Sequence, residues 1–341
     1  RSVLVTGVQT CALPILLKHL LMRKKNLLGA YLVLSLLASC QQKENLQHMG
    51  DELKLSLQAS VYAPSNGSRV VTDESGVTTF SEGDELGFFM PEESEPVKWT
   101  LTEGQWISAS PLSWKDKVNK FTYCAYYPYS TESTTRDNIP MPDLSLQKGT
   151  LTGIGEFDFL TARCEASYEE TDNGTVSFIG ESSFRHAYSF ISITIKKDLS
   201  EENVLISQAS FQGENLFSRS TYHFTESEAE DGISLLESSE VHALTLNFEE
   251  PVTVTEESGY TLFLLCNPQS LVEDSGFSIS YQRDGVSYTA STNKLGKQFE
   301  AGKYYQFVLR LTKEELKVEG CEVSDWVSEK LPEIAIEEIP S

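Results

Sequence analysis

The sequence predicts an all-β protein, its strands mostly antiparallel and stacked as β-sandwiches, and three observations carry that expectation. Residues Leu53 to Ala63 alternate strictly: Leu53, Leu55, Leu57, Ala59, Val61 and Ala63 are apolar, and the positions between them are polar or Tyr62. That is the period of a half-buried strand. Short apolar runs then recur between clusters of Gly, Pro, Asn, Asp and Ser, as strands joined by turns do. Helical spacing is confined to single turns at Leu199–Asn203 and Lys313–Leu316. Many short strands with frequent turns favour sandwiches.

Pro64–Ser68 ends the first strand as a loop. Val77–Phe80 is the next candidate. Gly83-Asp84 then forms a tight turn feeding Glu85–Met90, with Leu86 and Phe88 on one face. Gln105–Ala109 precedes Phe121–Tyr127, where Phe121, Tyr123, Ala125 and Tyr127 alternate with Thr122, Cys124 and Tyr126, so both faces are expected to be covered until Pro128 stops the strand. Further strands are Thr175–Ile179, Phe190–Lys196, Leu205–Gln212, Leu244–Phe248, Tyr260–Cys266 and Phe277–Gln282, then Val286–Ser291 and Tyr304–Leu311. Asp284-Gly285 signals a hairpin, because both residues tolerate the positive φ its turn needs. About 300 residues after Cys40 suit two domains, 53–174 and 175–330, divided at the polar stretch Glu169–Gly174, with 331–341 as a tail. Glu226–Gly232 reads as a loop inside the second half.

Residues 22–39 read as a lipoprotein signal peptide. Arg23, Lys24 and Lys25 are a basic start, Leu27–Leu37 an apolar run, and Leu37-Ala38-Ser39-Cys40 a small-residue ending on the thiol that receives lipid. The apolar run is too short to span a bilayer alone. The mature chain is expected to begin at the lipidated Cys40, with 40–52 as a tether. Residues 1–21 precede the natural start at Met22, and GVQTCALPI resembles translated sequencing-adapter read-through. They are expected to be non-native, and Cys11 and His19 are set aside with them.

The net charge is −23, and five of the 27 Lys and Arg but none of the 50 acids precede Cys40, leaving −28 from there onward. That excludes nucleic acid as a partner, since phosphate contacts need cations. It suits an exposed, soluble surface. Cys124, Cys164, Cys266 and Cys321 form no CxxC pair. Two disulfides in an exported protein and buried free thiols both remain open, and Cys124 and Cys266 lie in strand-like runs that suit the latter. His186, between aromatics at the head of a strand, reads as structural rather than as a base. Trp99, Trp106 and Trp114 read as core or turn staples, with sugar stacking the alternative. HExxH, GxSxG, P-loop and GxGxxG patterns are absent in suitable contexts, so no catalytic, cofactor-binding or metal residue is assigned. Calcium at Asp172-Asn173-Gly174 lacks EF-hand spacing.

Several strings now line up in one order: Phe80-x-x-Gly83-Asp84-x-x-Gly87-Phe88-Phe89, the three tryptophans, Ala125-Tyr126-Tyr127-Pro128-Tyr129, and Asp158-Phe159-Leu160-Thr161-Ala162. Phe184-Arg185-His186-Ala187, Tyr304-Tyr305-Gln306-Phe307 and Asp325-Trp326 follow. With the Cys40 signal, this order resembles the fimbrillin family, lipoprotein pilins of type V fimbriae in Gram-negative anaerobes. The resemblance implies two tandem transthyretin-like β-sandwich domains and no enzymatic activity. It implies a lipid-anchored precursor on the outer membrane surface, cut after an Arg by a trypsin-like protease. The cut frees the first strand, and a strand from a neighbouring subunit fills the groove by strand addition. Carried over to this chain, Leu53, Leu55, Leu57, Ala59, Val61 and Ala63 are the removable strand. Arg69 is the processing site or simply a solvated loop charge. Ile334, Ile336 and Ile339 are the candidate donor, although Glu338 interrupts their alternation. Partners are other fimbrillin subunits, the membrane through lipid, the protease, and a glycan or protein ligand for adhesion. The competing role is a non-polymerising glycan-binding or anchor lipoprotein.

Overall fold

The computed structural model describes residues 53–62, 78–198, 203–236, 239–255, 258–269, 276–296, 298–312 and 315–326. The signal peptide, Cys40, Ala63, Arg69 and the donor residues Ile334, Ile336 and Ile339 lie outside the described residues.

The first half is organised by β1 (Ser56–Ala59), β2 (Glu85–Phe89), β3 (Val97–Thr102), β4 (Gln105–Ser108), β5 (Phe121–Tyr127), β6 (Ile139–Pro140), β7 (Leu160–Ala166), β8 (Thr175–Phe178) and β9 (Arg185–His186). Six of these form one antiparallel sheet in the order β4-β3-β2-β5-β7-β9, while β1 and β8 make a separate parallel pair. Alternation assigns the faces. Leu86, Phe88, Tyr123, Ala125 and Tyr127 share one core with Leu55, Leu57, Val176 and Phe178. Phe89, Cys124 and Tyr126 point the other way, into a second core continuous with the rest of the molecule. Both faces of β5 are therefore buried, as its unbroken apolar run predicts. The first core draws on residues as late as Phe184, so the chain beyond Glu169–Gly174 returns to the first sheet before crossing to the second half.

The second half follows with β10 (Ser189–Lys197), β11 (Val204–Phe217), β12 (Ser220–His223), β13 (Gly232–Leu235), β14 (Glu240–Thr253), β15 (Tyr260–Cys266), β16 (Gly276–Arg283), β17 (Val286–Thr292), β18 (Lys303–Leu311) and β19 (Leu316–Asp325). Two four-stranded sheets, β15-β10-β18-β19 and β14-β11-β16-β17, enclose a core of Ile191, Ile193, Phe211, Leu244, Phe277 and Phe307. A small sheet β13-β12-β6 joins the halves. The first half also reaches the seam between β14 and β15: Phe263 N–H donates to Gly149 O at 3.0 Å, and Leu265 N–H to Gln147 Oε1 at 2.6 Å. Gln147 is buried, and its amide donates to Leu144 O and Leu265 O, so both its donors and its carbonyl oxygen are partnered inside the protein.

Asp284 and Gly285, at φ 49° and 81°, make the expected two-residue turn between the paired Arg283 and Val286. Gly87 has a different reason to lack a side chain: a Cβ there would lie 2.1 Å from the ring of Tyr126. That ring is fully buried and stacks on Phe159 at 6.0 Å, so it has nowhere to move. Gly87→Ala is expected to cost about 1–3 kcal/mol by overpacking, read as a lowered urea midpoint with unchanged slope.

Three expectations need correction. Thr78–Phe80 is not a strand; Thr79 and Phe80 are buried in a connecting segment. Leu316 begins β19 rather than ending a helical turn, because its side chain fills the second core. The strands β3, β6, β7, β9, β12, β13 and β19 stand where the sequence pattern assigns none.

Candidate functional site

The feature with functional promise is the seat of the first strand. Leu55, Leu57 and Val61 are buried, with Leu53 and Ala59 packed against the same core, whereas Gln58 points to solvent. The alternation read from the sequence is thus the alternation of burial across the described part of this segment. Main-chain bonds hold it. At its start, Leu55 N–H donates to Leu112 O at 2.9 Å and Trp114 N–H to Leu53 O at 2.9 Å. From there it runs parallel to β8: Ser56 N–H donates to Gly174 O at 3.1 Å and Ser60 N–H to Phe178 O at 3.0 Å. At its end, Phe184 N–H donates to Ser60 O at 2.9 Å and Tyr62 N–H to Phe184 O at 2.7 Å.

Among the described residues the opposite edge of β1 is not paired in a sheet. It borders a cleft of about 1020 Å³, lined on the far side by Phe80, Leu101 and Trp106. The segment therefore sits in the first core by its side chains, by bonds to Leu112 and Trp114 on one edge at its start, and by the β8-facing edge along Ser56–Ala59.

Gly174 sets how closely β1 can approach. Its φ is +73°, and a Cβ would fall 2.7 Å from the backbone oxygen of Lys54 and 2.8 Å from the Tyr168 ring. Its own carbonyl accepts from Ser56 N–H and from the Trp114 indole N–H, the latter at 2.9 Å. Gly174→Ala is expected to combine left-handed strain with a backbone clash, costing about 2–4 kcal/mol. Amide exchange should rise first in residues 53–62.

The motif residues converge on this seat. The Phe80 ring meets Trp106 at 5.2 Å, Tyr127 at 5.5 Å and Phe184 at 5.1 Å, each edge to face. Four separate strings of the sequence thus build one wall of the core. Asp84 ties the turn before β2 to β5: it accepts from Ser81 N–H at 2.5 Å and from Tyr127 O–H at 3.1 Å. Burial raises the Asp84 carboxyl above the ordinary carboxylate range, against the opposing effect of those two bonds. Between the unfolded and the raised folded value, the folded state holds more protons than the unfolded one. Stability contributed at Asp84 is therefore present below the unfolded value and falls as pH rises through the folded value. Asp84→Asn is expected to flatten that part of the Tm-versus-pH curve.

A second convergence lies between the first sheet and β19. His186 Nδ1 is 3.0 Å from Asp158, and its ring stacks on Trp326 with centroids 3.5 Å apart and planes 9° apart. All three side chains are buried. The carboxylate partner of His186 lies 28 residues away in sequence, which is why no local pattern reveals it. The histidine is held as part of the core.

All four tryptophans are buried and offer no open face to a sugar ring. Cys124, Cys164, Cys266 and Cys321 are free thiols. Burial pushes the Cys124 thiol up to about 11, the Cys164 thiol to about 12, and the Cys266 thiol further in the same direction. Little nucleophilic thiolate forms there. Asp172-Asn173-Gly174 is a tight turn, with Thr175 N–H donating to Asp172 O at 3.0 Å. Among the described residues no group of three His, Cys, Asp or Glu is placed to hold a metal, and no helix is long and apolar enough to cross a membrane.

Comparison with known proteins follows this geometry. A curated protein from Bacteroides ovatus, "Putative fimbrium tip subunit Fim1C", is 26% identical over 131 residues, which are 33% of this chain and 24% of that protein. The chain thus matches about a quarter of the length of this curated relative. Two crystal structures titled "putative cell adhesion protein" share the fold. One, from Bacteroides ovatus, has a TM-score of 0.53 at 16% identity, covering 81% of this chain and 99% of that one. The other, from Bacteroides uniformis, has a TM-score of 0.52 at 17% identity over the same shares. Residues 68–326 match the fimbrillin-like family profile, so the chain belongs to the fimbrillin-like family, whose members are fimbrial structural subunits and not enzymes.

Proposed function

We propose that this protein is a subunit of a cell-surface fimbria and that its first strand is a removable element whose seat accepts a strand from another subunit. The observation that supports this is the seating of residues 53–62. Three buried apolar side chains hold the strand, with main-chain bonds to Leu112 and Trp114 on one edge at its start and to β8 and Phe184 on the other edge from Ser56 to Tyr62, in a slot that another alternating strand would fit. Strand addition supplies main-chain hydrogen bonds along that edge and pockets for alternate side chains.

In this account Cys40 carries the lipid that holds the precursor to the outer membrane. A trypsin-like protease cuts after Arg69, in the sequence between Tyr62 and Thr78. Ile334, Ile336 and Ile339 of a neighbouring subunit supply the donor strand. Two sandwich modules of one subunit, divided after His186 rather than at 174 because β8 and β9 belong to the first, act in support of adhesion through a glycan or protein ligand. Limited trypsin treatment of the chain from Gln41, followed by intact mass and size-exclusion chromatography, tests the proposal. The expected result is a cut after Arg69, loss of the N-terminal peptide and growth of oligomers. Resistance at Arg69 with a stable monomer would replace it with an anchor or glycan-binding lipoprotein.

A further inference from the structure

Phe184, Arg185 and His186 are gripped from two sides. On one side is the first strand: Phe184 exchanges main-chain bonds with Ser60 and Tyr62, and the Arg185 guanidinium lies 4.6 Å over the Tyr62 ring. On the other side is the end of β19, where Trp326 stacks on the His186 ring. Asp158 fixes that ring through Nδ1 at 3.0 Å. The backbone makes the same link, because Trp326 N–H donates to Gly302 O at 2.7 Å and Gly302 N–H to Tyr188 O at 2.9 Å. Phe184 thus carries the first strand, while His186 and Tyr188, two and four residues on, carry Trp326.

The strand between them is short. β9 contains two residues, paired to β7 through Arg185–Thr161 and His186–Leu160. With the first strand in place, Phe184 is bonded on both its N–H and its C=O and packs against Phe80 and Phe178. With that strand gone, both of those bonds disappear, and β9, the two-residue edge of the first sheet, keeps strand pairing to β7 alone among the described residues. Such an edge is the kind of element that opens at low free-energy cost. His186 is then held beneath Trp326 through Asp158 and the pairing with Leu160, on a strand that has lost its Phe184 anchor.

We infer that Phe184–His186 couples occupancy of the first-strand seat to the seating of Trp326, so that withdrawing the first strand loosens the end of β19. The use of this coupling in assembly rests on the removable-strand reading; the coupling itself does not. The two-state element is β9, gripped or freed, and both sites bias it.

Amide exchange read by mass spectrometry on the full chain tests this. Leu55→Asp with Leu57→Asp unseats the first strand, and exchange in residues 320–326 is then expected to rise about 5- to 150-fold while residues 276–283 are unchanged. Full exposure of residues 53–62 with no change in 320–326 overturns the coupling. Trp326→Ala provides the reverse arm: linkage is reciprocal, so exchange in residues 53–62 must rise by a similar factor. Unchanged protection of 53–62 in that variant overturns the coupling as well, including where the double variant unfolds globally or keeps its first strand seated. Neither readout depends on cleavage at Arg69, so a failure of the coupling and a failure of the removable-strand reading give different results.

Discussion

Replacing Leu55 and Leu57 together by aspartate should lower the melting temperature by about 10 °C or more. Each residue is buried, at 2% and 6% exposure, in an apolar slot. Each substitution removes apolar contact and sets a carboxyl among Val176, Phe178 and neighbouring rings. Loss of a buried leucine costs about 2–5 kcal/mol before the polar group is counted. In a chain of this length each kcal/mol moves the midpoint by about 2–4 °C. The matching control is Gln58→Asp, on the opposite face of the same strand, where Gln58 is exposed. That change should stay within about 0.5 kcal/mol. Equal melting of the double variant and the wild type would remove the basis for calling this strand a core element.

Arg163→Ala should destabilise by about 3–5 kcal/mol, although arginine is ordinarily a surface residue. Arg163 stands on β7, and its side chain is 9% exposed. Its Nε donates to Asp231 Oδ2 at 3.0 Å and its Nη2 to Asp231 Oδ1 at 2.9 Å, with Thr225 O as a further acceptor. Asp231 is 6% exposed, so the pair fastens the first sheet to the 225–231 loop of the second half with both charges nearly out of water. Truncating the arginine leaves Asp231 with Thr225 N–H and O–H but no cation. The cost is chiefly that of the stranded charge, and Arg163→Met with Asp231→Leu should therefore recover most of the loss. A double variant no more stable than Arg163→Ala would contradict that explanation.

The reach of the sequence can be judged from these elements. The first strand was legible because one face meets a core and the other meets solvent, which writes a period of two directly into Leu53–Val61. The hairpin at Asp284-Gly285 was legible because its turn demands residues that accept positive φ. β7 was not, although Leu160, Ala162 and Cys164 alternate inward. Arg163 lies between them, and its neutralising partner stands 68 residues away. β19 was hidden for another reason. Most of its residues are exposed on an edge strand, and the register shifts beside Gly320, so no apolar period survives. The same limit applies at the junction. Asp158, His186 and Trp326 belong to three separate strings, and only the fold shows that they form one cluster. Local periodicity records which face is buried; it does not record which distant side chain is waiting there.

The central claim is that the first strand occupies an exchangeable seat. It is tested most directly by measuring the binding of a fluorescent peptide with the sequence of residues 53–62 to the chain from which trypsin has removed that segment. The account predicts saturable binding, read as a rise in anisotropy, which Leu55→Asp and Leu57→Asp in the peptide abolish. A cut chain that remains folded and binds neither peptide, or binds both equally, would contradict it.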